Sequence, residues 1–528
     1  MRPTHLFALA LVASLSTASF AQQSVTVRPY MASIETDLKS VPTGNPFTLD
    51  VFLMDATSMA PSEGLSVTAD LTMPSMAGMM LDKPKVTKGE KPGHYNVEVT
   101  LPHMGEYRLE LHVKGVTLAF ELTPGGSMDH GMEPMGGMHG MEMKGSLGDW
   151  PMNREGSGTS WQPDSSPMFM KMLPSALGFD WSVMGTMQAG YSDDNSPRGS
   201  KGFFTDSMAM LMGSRKVGGG TLGFNFMTSL DPVINGEKGV PDLFQTGETA
   251  NGVPLVDRQH PHNLFSELAL TYSHPISRDW SGFVYGGPVG EPALGNVMFM
   301  HRASGLEIPL SPITHHWFDS THISFGVVTA GLVYANKWKL EGSVFNGQEP
   351  GENRYTIGPV ALNSASGRLS YNPSKDWSLS ASYGYLKSPE ALAPGEDQHR
   401  TTASIAYSHE FSPTDSISAT VLWGQRLQEG SSATNAYLAE ATYFHAKDAL
   451  FARFENVDED ELFQVPAGTY NVSKLVFGDV HNFYSHDQFD YGFGVYAGLY
   501  TFPGSLEPLY GKHPVSLGVF LRIRPSKM

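Results

Sequence analysis

From about residue 179 to the end, apolar and small polar residues alternate. Trp377-Ser378-Leu379-Ser380-Ala381-Ser382-Tyr383-Gly384-Tyr385 carries an apolar or aromatic side chain at every odd position and Ser or Gly at every even one. Phe489 to Leu499 and Val515 to Ile523 follow the same rule closely. A period of two predicts extended strands with one apolar face. The polar face of a soluble sandwich carries many Lys and Glu. Here it is mostly Ser, Gly and Thr, and aromatics gather near strand ends. That combination predicts strands whose apolar face meets lipid and whose polar face meets a lumen.

Marking such stretches gives about sixteen strands, starting near 179, 201, 219, 261, 278, 322, 337, 361, 376, 399, 414, 433, 448, 472, 486 and 514. Tight turns are expected at 216–218, 276–278, 336, 373–375 and 412–414. Long connections are expected at 231–260, 288–321, 347–360, 388–398, 459–471 and 500–513. Alternating short and long connections with an even strand count predict a transmembrane antiparallel β-barrel over 175–528.

The earlier part of the chain reads differently. Phe47–Leu53, Leu65–Leu71, Tyr95–Val99, Tyr107–Val113 and Val116–Leu122 are short alternating runs at the spacing of a β-sandwich, placed at 24–123. The fold class is therefore all-β: an N-terminal sandwich, then a barrel. Residues 124–174, rich in Gly, Met and His, read as a linker.

Composition narrows the setting. Arg2, the apolar Leu6–Leu15 and Ser19-Phe20-Ala21 read as a secretory signal at 1–21. No later run is apolar for the ~20 residues that a spanning helix needs, so membrane insertion must be by a closed barrel. Cysteine is absent, which removes disulfides and thiolate chemistry. A net charge of −18 argues against nucleic acid as a partner. The expected location is the cell outer membrane, with the sandwich and linker in the periplasm.

The linker carries the most distinctive chemistry. Met128, His130, Met132, Met135, Met138, His139, Met141 and Met143 lie among Gly, Pro, Asp and Glu that interrupt every apolar face. Thioethers are soft ligands that select Cu(I) or Ag(I), and imidazole suits copper in either oxidation state. Two loops of the barrel add further candidates. His260 and His262, at i and i+2, share one face of an extended segment. The next long loop holds Met298, Met300, His301, His315, His316, Asp319 and His322. Of these, His260, His262, His301, His315 and His316 are taken as candidate metal ligands. The bland alternative is a hydrogen-bonded polar cluster that closes the lumen.

Three resemblances add to this. Met73-Pro74-Ser75-Met76, Gly93-His94-Tyr95 and Met104-Gly105-Glu106-Tyr107 resemble the YtkA-like domain, an immunoglobulin-like sandwich related in shape to periplasmic copper-carrier domains. The resemblance implies an exported sandwich, and Met73, Met76, His103 and Met104 become a candidate soft-metal set. Asp257-Arg258-Gln259-His260-Pro261-His262 resembles a motif of barrel proteins from metal-exposed bacteria. The plan of a Met/His-rich segment ahead of a barrel, with its Met-Asp-His-Gly-Met string, is similar to that of outer-membrane copper-resistance proteins. It implies copper handling, with outer-membrane lipid, metal ions and periplasmic metal carriers as partners.

Two other functions compete: a general or substrate-specific pore with an incidental Met-rich linker, and a structural envelope protein. An enzyme is not expected. Ser304 or Ser311 with His301 or His315 would make a hydrolase pair, but no nucleophile-elbow sequence accompanies them.

Overall fold

The computed structural model describes residues 23–27, 29–34, 36, 46–56, 58, 60–73, 81–102, 107–122, 144–463 and 465–528. The chain divides into two compact units, 1–141 and 142–528. The signal segment, Met76, His103, Met104 and the linker ligands from Met128 to Met143 lie outside the described residues.

The first unit holds two antiparallel sheets. One orders Gln23–Val27, Tyr30–Ile34, Pro46–Asp55, His94–Thr100 and Lys85–Lys88; the other orders Val67–Thr72, Tyr107–Val113 and Val116–Leu122. Their alternating apolar residues, among them Leu49, Val51, Val97, Leu109 and Leu111, form one buried core. Met73 packs in that core.

In the second unit sixteen long strands close into an antiparallel barrel. They are Phe179–Asn195, Lys201–Val217, Gly220–Thr228, Phe265–Pro275, Trp280–Gly290, Ser324–Tyr334, Trp338–Phe345, Ser364–Ser374, Trp377–Leu386, Gln398–Ser412, Asp415–Gln428, Thr434–His445, Asp448–Glu459, Tyr470–His486, Phe489–Thr501 and Val515–Pro525. Each begins within a few residues of its predicted start. The last strand pairs with the first, from Val515 opposite Asn195 to Ile523 opposite Met187. That register leaves the start of the first strand without a partner on one side. A short extra strand, Met170–Ala176, pairs there and covers the open edge.

The two faces of the wall are inverted relative to a soluble protein. Leu332, Leu340, Ile405, Val421, Leu450 and Leu517 are exposed outside. Lys339, Glu341, Arg368, Glu440, Arg453 and Arg522 are buried inside. An apolar outer band of this extent suits hydrocarbon rather than water. At the short-turn end stand aromatic pairs: Trp338 on Tyr371 (3.9 Å), Trp377 with Tyr407 (4.7 Å) and Trp280 with Tyr334 (4.9 Å). Such a girdle marks a membrane interface. One of these turns places Ala335 and Asn336 both at positive φ (51° and 52°), the two-residue geometry that matches strand twist.

Among the described residues, two segments fill much of the lumen, and parts of loops 229–264 and 346–363 join them. Loop 291–323 folds inward and is pinned to the wall by Arg302 on Glu440 (2.6 Å), Arg522 on Glu307 (2.8 Å) and Thr314 on Glu455 (2.8 Å). Residues 144–168, counted with the Gly-, Met- and His-rich linker, also lie against the inner wall. Trp150 and Trp161 pack with Leu147, Phe283 and Val333. Thr159 donates to Glu341 (2.6 Å) and accepts from Arg368 (3.0 Å). Glu341 already pairs with Arg368 and Lys339, each at 2.9 Å, and Thr159 completes the hydrogen bonding of this buried wall cluster, which helps order a sequence with no periodicity.

Candidate metal centre

The histidines come together where loops 229–264, 291–323 and 346–363 meet inside the barrel. Asp257, at φ 58°, sets the course of the first loop: its carboxylate accepts from the Phe244 amide (2.9 Å) and from Arg198 (2.7 Å). The extended run from Arg258 then carries His260 and His262 inward. His262 Nδ1 meets the Asp231 carboxylate at 2.8 Å, and Asp206 of the wall stands 3.9 Å from the same nitrogen. Asp231 is itself held by the Ser207 hydroxyl at 2.7 Å.

In the second loop a single helical turn, His315–Phe318, presents neighbouring imidazoles. Asp319 anchors them. Its carboxylate lies 2.5 Å from His315 Nδ1 and 3.3 Å from Arg302, and its carbonyl oxygen lies 2.6 Å from His322 Nδ1. His316 stands 3.7 Å from Glu349. Glu349 and Glu390 share Arg400 at 3.0 and 3.4 Å, and Glu248 pairs with Arg354.

Five rings therefore crowd one place. Ring centroids are separated by 5.2 Å (His315–His322), 5.4 Å (His315–His316), 5.5 Å (His262–His322) and 6.1 Å (His260 to both His315 and His316). All five line one small cavity with Glu248, Glu349 and Arg354. Its volume of about 10 Å³ is room for one water or one ion.

The pattern of satisfied and unsatisfied nitrogens is informative. In His262 and His322, Nδ1 faces a protein oxygen at hydrogen-bond distance; in His260 it faces the Pro261 carbonyl at 3.3 Å. The Nε2 atoms of these three rings are buried and make no hydrogen bond, nor does either ring nitrogen of His316. Carboxylates stand just beyond that range, Glu248 at 3.6 Å from His260 Nε2 and Glu349 at 3.7 Å from His316 Nδ1. An Nδ1 that donates to an acceptor leaves Nε2 with a free lone pair, which is how metal-binding imidazoles are usually oriented. Two sets of three side chains each bring one ligand atom within 4.8 Å of the others: Asp206, Asp231 and His262, and His316, Glu349 and Glu390.

The loop electrostatics separate these rings. Burial depresses His260 well below its usual range, helped by Arg354 and His316. Burial, with His315 and His262, takes His322 down to about 3. Both present neutral imidazoles at pH 7. For His262 burial works the other way from its carboxylates, and the Asp231 hydrogen bond with the charges of Asp231 and Asp206 wins, raising it. His316 is likewise lifted against its burial, to about 9, by Glu349. Burial and the neighbouring Glu349 push Glu390 up to about 8.

Of the residues singled out in the sequence, His260, His262, His315 and His316 meet here. His301 lies elsewhere: its Nε2 is 3.4 Å from Met227 Sδ. Ser304 bonds Thr420 (2.7 Å) and Glu440 (2.9 Å) rather than an imidazole. His322 is the ring the candidate set left out, and the carboxylates Asp206, Asp231, Glu349 and Glu390 were not anticipated. His322 follows His315 by seven residues in the same His-rich loop, so the local sequence held a signal. The carboxylates come from separate strands and loops, and only the fold joins them.

No curated protein sequence matches the chain. Among solved structures, the chain is similar to an anion-selective porin from Comamonas acidovorans at 13% identity and a TM-score of 0.41, covering 66% of this chain and 99% of that one. It is similar also to OprB of Pseudomonas putida (11%, TM-score 0.41, 66% and 94%) and to OpdQ of Pseudomonas aeruginosa (9%, TM-score 0.32, 65% and 97%). The YtkA-like family model matches residues 31–112, so the first unit carries a YtkA-like domain.

Proposed function

We propose that this protein is an outer-membrane barrel that handles copper or silver ions, with its YtkA-like domain and Met/His linker on the periplasmic side. The observation that carries this reading is the cavity on which His260, His262 and His322 converge with buried Nε2 atoms that make no hydrogen bond. Imidazoles beside carboxylates form a donor set that suits copper, and the linker thioethers suit Cu(I) and Ag(I). Excess negative charge along the chain raises the local concentration of cations. In this reading the linker captures the ion in the periplasm and the lumen site retains it within the barrel. Binding at His262 displaces the proton that Asp231 and Asp206 favour there.

Copper stoichiometry on the purified full-length protein tests the reading. The His260→Phe/His322→Phe double variant is expected to bind one copper fewer per chain than the parent. Equal stoichiometry in parent and variant overturns the role of the cavity.

A second reading, a substrate-specific pore with a structural plug, is favoured by the ion pairs that pin loop 291–323. Conductance in a planar bilayer that ignores copper would support it.

A further inference from the structure

The methionines of the barrel are not scattered. From Phe179 onward every methionine except Met528 falls at or before residue 300. Met208-x-Met210-x-Met212 sets three thioethers on one face of a strand, and that face is the lumen side. In the ladder Met210 is the direct partner of Met184 on one neighbouring strand and of Met227 on the other. Loop 291–323 lays Met298 and Met300 against this row; Met208, Met210 and Met227 are buried with them around Phe299, and Met184 and Met212 pack half-buried at its edge. Elsewhere the lumen is filled by Leu, Val and aromatic side chains, as around Leu422, Leu438 and Val457, so methionine is not the general filler of this interior.

Two heteroatom contacts break the apolar character of the patch. The Met300 amide donates to Met298 Sδ at 3.1 Å. His301 directs Nε2 to Met227 Sδ at 3.4 Å, and both residues are buried. Met227 pairs with Glu267 in the ladder, whose carboxylate accepts from Tyr285 (2.8 Å) and Asn225 (3.3 Å). Thioethers with an imidazole form a soft donor set of low charge, matched to a monovalent d10 cation and poorly matched to Mg or Ca.

We propose that Met210, Met227 and His301, completed by a loop sulfur from Met298 or Met300, bind one Cu(I) or Ag(I) ion at a wall site distinct from the imidazole cavity. The proposal rests on the copper- and silver-handling reading above and adds to it a second, sulfur-ligated position inside the barrel. Placed on the wall and the plug together, the site ties ion binding to the seating of loop 291–323.

The test uses full-length protein in which the methionines and histidines between 128 and 143 are replaced by serine, so that only the sites outside the linker remain. Cu(I) is titrated under reducing conditions against a chromophoric chelator, and copper-edge absorption reports sulfur scattering. The Met210→Leu/Met227→Leu variant keeps volume and apolarity, and heat-modifiable gel mobility checks that its barrel is folded. It is expected to lose one Cu(I) equivalent together with most of the sulfur scattering. The His260→Phe/His322→Phe variant is expected to keep both. Unchanged Cu(I) uptake in the folded leucine variant overturns the wall site. If the only equivalent lost is the one removed by the histidine variant, the wall site fails and the copper reading stands. No Cu(I) uptake by the linker-substituted parent overturns the wall site and the imidazole cavity together as copper sites, leaving the linker as the binder.

Discussion

Two groups of buried polar side chains share the barrel lumen and are built on different terms. Where loop 291–323 meets the wall, charges are matched: Arg302 and Arg453 both reach Glu440, at 2.6 and 2.8 Å, and Glu307 takes Arg522 and Arg524, at 2.8 and 3.1 Å. The pins still leave guanidinium nitrogens of Arg302, Arg453, Arg522 and Arg524 without a hydrogen bond, but on groups whose charge is paired. A few residues further along the same loop, the imidazole cavity leaves ring Nε2 atoms without a hydrogen bond. Burial is equally deep in both places, so exposure does not explain the contrast. Matched pairs hold a loop in place, and breaking one strands a buried charge. Unmatched lone pairs add nothing to the fold and are tolerated when a ligand can complete them.

The largest effect is therefore expected at the pins. Glu440→Ala removes the acid that serves both Arg302 of the plug and Arg453 of the wall, stranding the Arg453 guanidinium and leaving Arg302 with the Asp319 carboxylate alone, at 3.3 Å. Breaking a buried pair in this way costs about 3–5 kcal/mol. The expected outcome is a lower denaturation midpoint and higher single-channel conductance, because the loop loses its anchor. An unchanged midpoint and conductance would show that the pins do not seat the plug.

Glu291, at the start of the same loop, sharpens the contrast because it solves burial in a third way. Burial raises its carboxyl to about 8, with Arg368 and a Ser157 hydrogen bond only partly opposing the shift. It thus keeps its proton when folded. The folded state binds that proton more tightly than the unfolded state, so the stabilising contribution is complete below about 4.5 and is lost as pH rises toward 8. Denaturation midpoints measured from pH 4.5 to 8 should decline more steeply in the parent than in Glu291→Gln, by up to a few kcal/mol. Parallel profiles would remove Glu291 as the source.

A neutral pin should matter less. Trp317 Nε1 donates to Thr434 Oγ1 at 3.0 Å, and both residues are buried. Thr434→Val leaves that N–H without its acceptor, at a cost of roughly 1–2 kcal/mol in the same denaturation assay. Thr434→Ser, which keeps the hydroxyl, should recover most of the loss.

How much of this was legible beforehand follows from which forces act locally. The wall could be read because alternation of Leu, Val and Tyr with Ser and Gly is a property of each strand alone, and turns such as Ala335-Asn336 are encoded within two residues. The plug could not be placed. Arg302 finds Glu440 and Thr159 finds Glu341 across more than a hundred residues, and nothing around either residue announces its partner. Residues 144–168 passed for linker for the same reason. Of the imidazole cluster, the His-x-His pair and the His315-His316 pair were visible. Their convergence, and the carboxylates that orient them, exist only once the barrel closes. Met208-x-Met210-x-Met212 carried a period-two signal as plain as any strand, and was legible as a soft-ligand row had it been read for chemistry as well as for packing.

The smallest stability effect should come from the cavity itself, and it tests the comparison most directly. His322 makes one hydrogen bond, from Nδ1 to the Asp319 carbonyl, and its Nε2 bonds nothing. His322→Phe exchanges a buried ring with an unsatisfied nitrogen for a ring with none. The lost Nδ1 bond and the removed Nε2 desolvation penalty act in opposite directions, so the net change should stay within about 1 kcal/mol of zero. Copper affinity should nonetheless fall by ten- to a hundredfold or more, since a ligand is gone. Asp231→Asn, which weakens the orientation of His262 without removing a ring, should reduce affinity by about tenfold or more. If His322→Phe destabilises the barrel as strongly as Glu440→Ala does, the imidazoles belong with the pins, and the division of the lumen into anchors and ligands collapses.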